Sequence, residues 1–266
     1  MLEDLGYYCI DNLPASLLPP LAERVTRHTI DLPRIAVSID ARNVSSDLKK
    51  VPQIISELDH EQLQAEIIFL DANSPTLIKR FSESRRKHPL TTDKIGLQEA
   101  INMERELLEP IAALASLSVE TSNMSLRQLR DIIKGRIVER KNNTLALLFQ
   151  SFGYKNGVPI DADFVFDIRC LPNPYWDISL RPLTGLDEKV KTYLCSYAEV
   201  DEMFDDICKF LKKWLPRFEE SNRSYMTVAI GCTGGQHRSV YLSEKLKDYF
   251  SSIITNVQVM HRELSR

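Results

Sequence analysis

The run Gly231-Cys232-Thr233-Gly234-Gly235-Gln236-His237-Arg238-Ser239 carries the most chemistry in the chain. Its glycines permit close backbone approach, so several N–H groups can point at one spot. Arg238 offers a planar fork for phosphate oxygens, and Thr233 and Ser239 offer hydroxyls. His237 adds a further donor or acid. Such a turn is built to hold a phosphate or another anion. Cys232 and Arg238 also stand in a Cys-x5-Arg-Ser arrangement, the spacing of cysteine-dependent phosphatases. There a thiolate attacks phosphorus while the loop and the arginine hold the phosphate. Spacing alone does not separate such an enzyme from a binding site.

The flanking elements fit an anion site. Residues 225–230 are β-branched and apolar, which predicts a buried strand. Leu242, Leu246, Tyr249 and Phe250 then recur at helical spacing. The segment therefore reads as strand, glycine-rich turn and helix, and the helix N-terminus adds partial positive charge at the turn.

Strand and helix patterns alternate along the rest of the chain, which predicts parallel sheets covered by helices. Strands are expected at 7–10, 35–39, 66–70, 117–121, 145–152, 164–169 and 256–260, the second and third of them buried. Helices are expected at 15–27, 47–63, 74–86, 97–115 with an interruption at Pro110, 126–137 behind a Ser125–Gln128 capping box, and 200–218. The stripe Val200, Met203, Phe204, Ile207, Leu211, Trp214, Leu215, Phe218 reads as core. Two prolines predict an extended run over 171–176. The polar stretch 139–143 predicts a boundary between a domain over 1–140 and another over 144–266.

In parallel sheets ligands sit at the carboxyl ends of strands. Asp40, Arg42, Asn43 and Asp71 fall there, and a strand ending in Asp suits a magnesium-holding acid. Arg80, Arg85 and Arg86 are candidates for a phosphate clamp or a solvated face. Arg169, Asn173, Arg181, Asn222 and Arg223 fall in loops that could converge on the glycine-rich turn.

Composition narrows the class. A formal net charge of -3 over 266 residues argues against a strongly basic nucleic-acid binder. The longest apolar runs fall short of a membrane span. The N-terminal residues lack the pattern of a signal peptide. Five scattered cysteines, none in a Cys-x-x-Cys pair, predict neither a zinc site nor a disulfide framework, and a cytoplasmic setting.

Several long motifs together resemble the RapZ/YvcJ family of nucleotide-binding proteins. They are residues 231–240, Phe166-Asp167-Ile168-Arg169-Cys170-Leu171-Pro172-Asn173-Pro174, residues 187–190, residues 2–14, residues 38–43 and residues 85–90. The resemblance implies a P-loop kinase-like first domain that binds ATP or GTP with Mg2+, and a second α/β domain. It implies that Asp40, Ala41, Arg42 and Asn43 form a guanine-nucleotide motif. It also implies that Cys232, Thr233, Gly234, Gly235, His237, Arg238 and Ser239 line a pocket for a phosphosugar such as glucosamine-6-phosphate. Arg169, Asn173 and Asn222 would add contacts from neighbouring loops. Family members can hydrolyse nucleotides, form homo-oligomers and present a small regulatory RNA to an endoribonuclease. Arg262 and Arg266 are the cations of the C-terminal segment where RNA contacts are implied, a segment only weakly basic here. The family's Gly-x-x-x-x-Gly-Lys-Ser loop does not occur in this sequence, which starts just beyond its place; a fragment or a displaced start is expected.

Overall fold

The computed structural model describes residues 2–26, 34–43, 45–58, 63–84, 86–138, 144–221 and 223–264. Its contacts divide the chain into two units, Met1–Asn123 and Met124–Arg266. The boundary expected at 139–143 lies outside the described residues.

The first unit holds β1 (Tyr8–Ile10), α1 (Leu18–Thr26), β2 (Ile35–Val37), α2 (Ser45–Leu48), α3 (Val51–Ser56), β3 (Ile68–Asp71), α4 (Ser74–Ser84), α5 (Leu97–Ala112) and β4 (Leu117–Glu120). β1 pairs with β2 and β3 with β4, both in parallel. Among the described residues β2 and β3 are thus each paired on one side only. Both were expected to be buried; β2 is half-buried, and β3 is half-buried apart from the exposed Leu70. Ala15, Leu48, Val51 and Ile111 form a small core, with Ile39 and Ile67 packed against it.

Two helix expectations change here. The helix expected over 47–63 is broken into α2 and α3. Pro52 has no N–H for the preceding turn, so a new helix starts around it. In contrast, α5 runs through Pro110 to Ala112 without the expected interruption. The proline sits in the last turn, where one lost bond has little left to disrupt.

The second unit holds α6 (Leu126–Ile133), β5 (Ala146–Gly153), β6 (Phe164–Asp167), α7 (Glu188–Cys195), α8 (Ala198–Glu220), β7 (Tyr225–Cys232), α9 (Arg238–Ser251) and β8 (Asn256–His261). Ser125 and Gln128 form the expected capping box, and α6 continues as a π-helical turn over Lys134–Val138. α7 follows the loop at 181–187 and carries no long apolar stripe, so periodicity does not announce it. The run 171–176 is not extended throughout, because Asn173 caps a short 3-10 turn over Pro174–Trp176.

The four strands form one parallel sheet in the order β6-β7-β5-β8. β5 and β7 are central and buried along their whole length. Leu147, Phe149, Met226, Val228 and Ile230 project to one face and meet α9 and the expected α8 stripe, all but Trp214, in the main core. On the other face Arg136 is buried, donating to Thr227 Oγ1 at 2.9 Å, with its guanidinium over the Tyr225 ring. Burial pulls Arg136 down to about 10. The register opposes Gly153 to Cys232, Asp167 to Gly231 and Ser151 to His261, so four carboxyl ends share one edge.

Candidate functional site

The glycine-rich turn leaves β7 at that edge and enters α9. Its backbone is shaped by contact. Gly235 takes a φ of 73°, and Gly153 at the end of β5 lies directly against Gly234. Cys232 is buried, and its Sγ accepts the Gly235 N–H at 3.2 Å and lies 3.1 Å from Ser239 Oγ. His237 precedes α9 and is buried. Its Nε2 lies 3.1 Å from the Leu180 carbonyl, so that nitrogen carries the proton.

Arg238 is the centre of the arrangement and is only 4% exposed. Nη1 donates to the Arg169 and Leu171 carbonyls, both at 2.8 Å, and Nη2 donates to Thr233 Oγ1 at 3.3 Å. Its Nε is buried without a partner. Among the described residues the N–H groups of Thr233, Gly234, Gln236 and His237 meet no acceptor, and α9 has no side-chain cap. Several donors are therefore left over at one strand-to-helix junction, which favours an anion there.

Neighbouring loops frame the turn. Asp167 clips Arg169: the Arg169 N–H and Nε each reach Asp167 Oδ1 at 3.0 Å, and Nη2 reaches Oδ2 at 2.7 Å. The Arg169 hydrogen bonds hold the Asp167 carboxyl below its usual value, and the charge of Arg238 adds to this. The Arg169 guanidinium also stacks 4.0 Å from the Tyr154 ring. Thr184 and Asp187 close the next loop, and the Gly185 N–H donates to the Gln236 carbonyl. Beside them an open pocket of about 460 Å3 is lined by Asp177, Leu180, Glu188, Lys189, Thr192 and Tyr193. A hydrogen bond with Tyr197, with burial, pushes Tyr193 up to about 12.

The other residues expected to converge do so unevenly. Asn173 accepts the Tyr175 N–H and Arg181 donates to the Tyr175 carbonyl, so both serve their own loop. Arg223 is a correction. It precedes β7, at the opposite end of the strand from the turn, and pairs with Asp163 at 2.6 Å. An eight-residue strand separates the two ends, about 25 Å at the usual rise. Asn222, Arg85 and Arg266 lie outside the described residues. Arg262 donates from Nη2 to the Asn156 carbonyl at 2.6 Å, and its side chain is 12% exposed.

Sequence reading passed over two residues of this site. Gly153 and Glu263 sit far along the chain from the turn, yet each packs against it. Glu263 binds Asn156 through Oε1, while its Oε2 is buried without a partner beside Gly235.

The first unit repeats the Asp-x-Arg clip. The Arg42 N–H and Nε reach Asp40 Oδ1 at 2.8 and 3.0 Å, and Nη2 reaches Oδ2 at 2.7 Å. Burial pushes Asp40 upward, but the bonds and charge of Arg42 outweigh it and leave the carboxyl low. Ala41 is buried. Asn43 accepts the Ala15 N–H at 2.8 Å and donates to Asn12 Oδ1 at 3.1 Å. At the ends of β3 and β4, Arg80 donates to Thr121, and Arg105 reaches Asp71, the Ala72 carbonyl and Ser74. Arg80 is thus engaged within the unit, and Arg86 is exposed. Among the described residues no three His, Cys, Asp or Glu side chains gather as a metal site. No helix there is long and apolar enough to cross a membrane.

Comparison with known proteins completes the picture. A family model described as the RapZ-like N-terminal domain matches residues 1–141, and one described as the RapZ C-terminal domain matches residues 145–265. A nucleotide-binding protein of Pseudomonas fluorescens strain Pf-5 is 54% identical over 100% of this chain and 93% of its own length. Proteins with the same description from Hahella chejuensis and Azotobacter vinelandii are 53% and 52% identical, over 100% and 99% of this chain and 93% of each relative.

Proposed function

The chain belongs to the RapZ-like family, and on that premise we propose a regulatory protein that binds a nucleotide and, in its second unit, a phosphosugar. One observation carries the second part. Arg238 is buried with an unpartnered Nε at a turn where, among the described residues, the N–H groups of Thr233, Gly234, Gln236 and His237 have no acceptor. A buried guanidinium nitrogen is costly unless something supplies its missing acceptor, and the N–H groups of the exposed Thr233 and Gln236 beside it are open to the same ligand. A phosphate supplies several at once and suits the helix N-terminus. The open pocket beside the 184–187 loop, lined by Asp177, Leu180, Glu188, Lys189, Thr192 and Tyr193, is the candidate place for the sugar ring.

Nucleotide binding in the first unit rests on the family and on the relatives' description as nucleotide-binding proteins. The loop at Asp40–Asn43 is the candidate contact for a guanine nucleotide. Asp40 and Arg42 bond each other, Arg42 also reaches Asp11, and Asn43 bonds Asn12 and Ala15, which supports a preformed loop. ATP or GTP would bring Mg2+, for which the Asp71 carboxylate at the end of β3 is a candidate; it already accepts the Ala72 N–H and Arg105.

Calorimetry with glucosamine-6-phosphate tests the sugar site, on wild type, Arg238→Ala and Thr233→Val. Binding to wild type, weakened by both substitutions, is the expected result. Equal heats for all three, in variants that still melt cooperatively, would overturn it. The implied partners, a small regulatory RNA and an endoribonuclease within a homo-oligomer, are tested by RNA binding over a salt series. Arg262 lends that reading little support, since its guanidinium is engaged internally.

A second reading, a cysteine-dependent phosphatase, is favoured by the Gly235 N–H and Ser239 hydroxyl on Cys232 Sγ. A thiolate there would attack phosphorus as the P–O bond to the leaving group breaks. Such a step needs an acid for the leaving group, and Asp163 lies at the wrong end of the sheet, where it accepts the Thr227 N–H and pairs with Arg223. Asp167 is at the right end but is clipped by Arg169. Phosphate-ester turnover that disappears in Cys232→Ser would establish this reading, and absence of turnover in wild type removes it.

A further inference from the structure

Glu263 is the least explained group near the turn. Its side chain is 10% exposed, and Oε2 is buried with no donor facing it. That oxygen lies where a β carbon on Gly235 would project. Burying a carboxylate oxygen unpaired is costly. The segment carrying it is nonetheless tied down closely. The Arg262 N–H donates to the Ser151 carbonyl at 3.1 Å, and Arg262 Nη2 donates to the Asn156 carbonyl. Asn156 Nδ2 in turn donates to Glu263 Oε1 at 3.1 Å, and Arg262 Nε is 3.5 Å from the same oxygen. Just before it, His261 bridges Ser151 and Glu244, both at 2.9 Å. These bonds fix Glu263 against the turn rather than letting it swing to water.

We propose that Glu263 is a resident anion of the glycine-rich turn, and that phosphate in the turn and the Glu263 carboxylate exclude one another. This rests on the reading of the turn as a phosphate site. Glu263 Oε2 lies against Gly235, within the same turn whose Thr233, Gly234, Gln236 and His237 N–H groups meet no acceptor among the described residues. A phosphate takes the donors and places a like charge next to the carboxylate. The two like charges repel at close range, so the segment at 261–264 leaves its seat. Occupancy of the turn is thereby reported at the C-terminal segment, through Arg262 and Asn156.

The test uses the full chain and inorganic phosphate. Glu263→Gln keeps the shape and removes the charge, and should tighten phosphate binding by about tenfold. Asn156→Ala loosens the strap without touching the turn, and should tighten binding in the same direction. Hydrogen exchange over residues 256–264 should quicken when phosphate is added to wild type. If wild type binds phosphate but Glu263→Gln and Asn156→Ala bind no better, or if the segment becomes more protected, Glu263 is a plain structural latch and the proposal falls. If neither wild type nor either variant binds phosphate, the phosphate reading of the turn falls first and takes this proposal with it.

Discussion

Gly153 and Gly234 meet backbone to backbone: a β carbon on Gly153 would lie 2.7 Å from the Gly234 carbonyl carbon and 2.9 Å from its oxygen. Neither atom belongs to a flexible side chain that could move aside. Gly153→Ala must therefore push the turn away from β5. A stability loss of about 1–3 kcal/mol is expected, together with weaker anion binding. Denaturant melts and phosphate titration read the two effects. An alanine variant with wild-type stability and affinity would show that the turn is not held by this contact.

The Asp167–Arg169 clip makes a pH prediction. The Arg169 hydrogen bonds lower the folded-state pKa of Asp167. A depressed carboxylate stabilises the fold above its unfolded pKa, about 3.9, and that contribution disappears as pH falls through the folded value. Asp167→Asn should thus be less stable than wild type at pH 7, and the two should converge below about pH 4. Thermal melts across that range check it; a gap that persists unchanged into acid would assign the effect to packing. Both partners are about half exposed, so the gap at neutral pH should be small.

Asn43 offers a test of the loop at 40–43. Its amide holds the Ala15 N–H and the Asn12 side chain. Asn43→Ala should cost about 1–2 kcal/mol, and any nucleotide affinity should fall with the loss of loop order. Stability unchanged alongside lost nucleotide binding would instead make Asn43 a direct ligand contact.

Much of the architecture was readable in the residues. Period-two and period-3.6 patterns, the Ser125 cap and the glycine-rich turn depend on neighbours a few positions apart, and those neighbours are written in order along the chain. The helix break at Pro52 has a local cause, yet the pattern hides it, because apolar residues continue on both sides.

What tertiary structure alone decided is where the polar atoms of the turn point. Arg238 settles on the carbonyls of Arg169 and Leu171, and main-chain carbonyls carry no residue signature to look for. Arg223 is a strand length away from the turn, because its loop enters β7 at the amino end. Gly153 and Glu263 reach the turn only because β5 and β8 are parallel and in register with their carboxyl ends together. Sequence determined which residues could hold an anion, since that follows from side-chain type and turn chemistry. Strand order and register determined which of them stand together, since those contacts join segments that are distant along the chain.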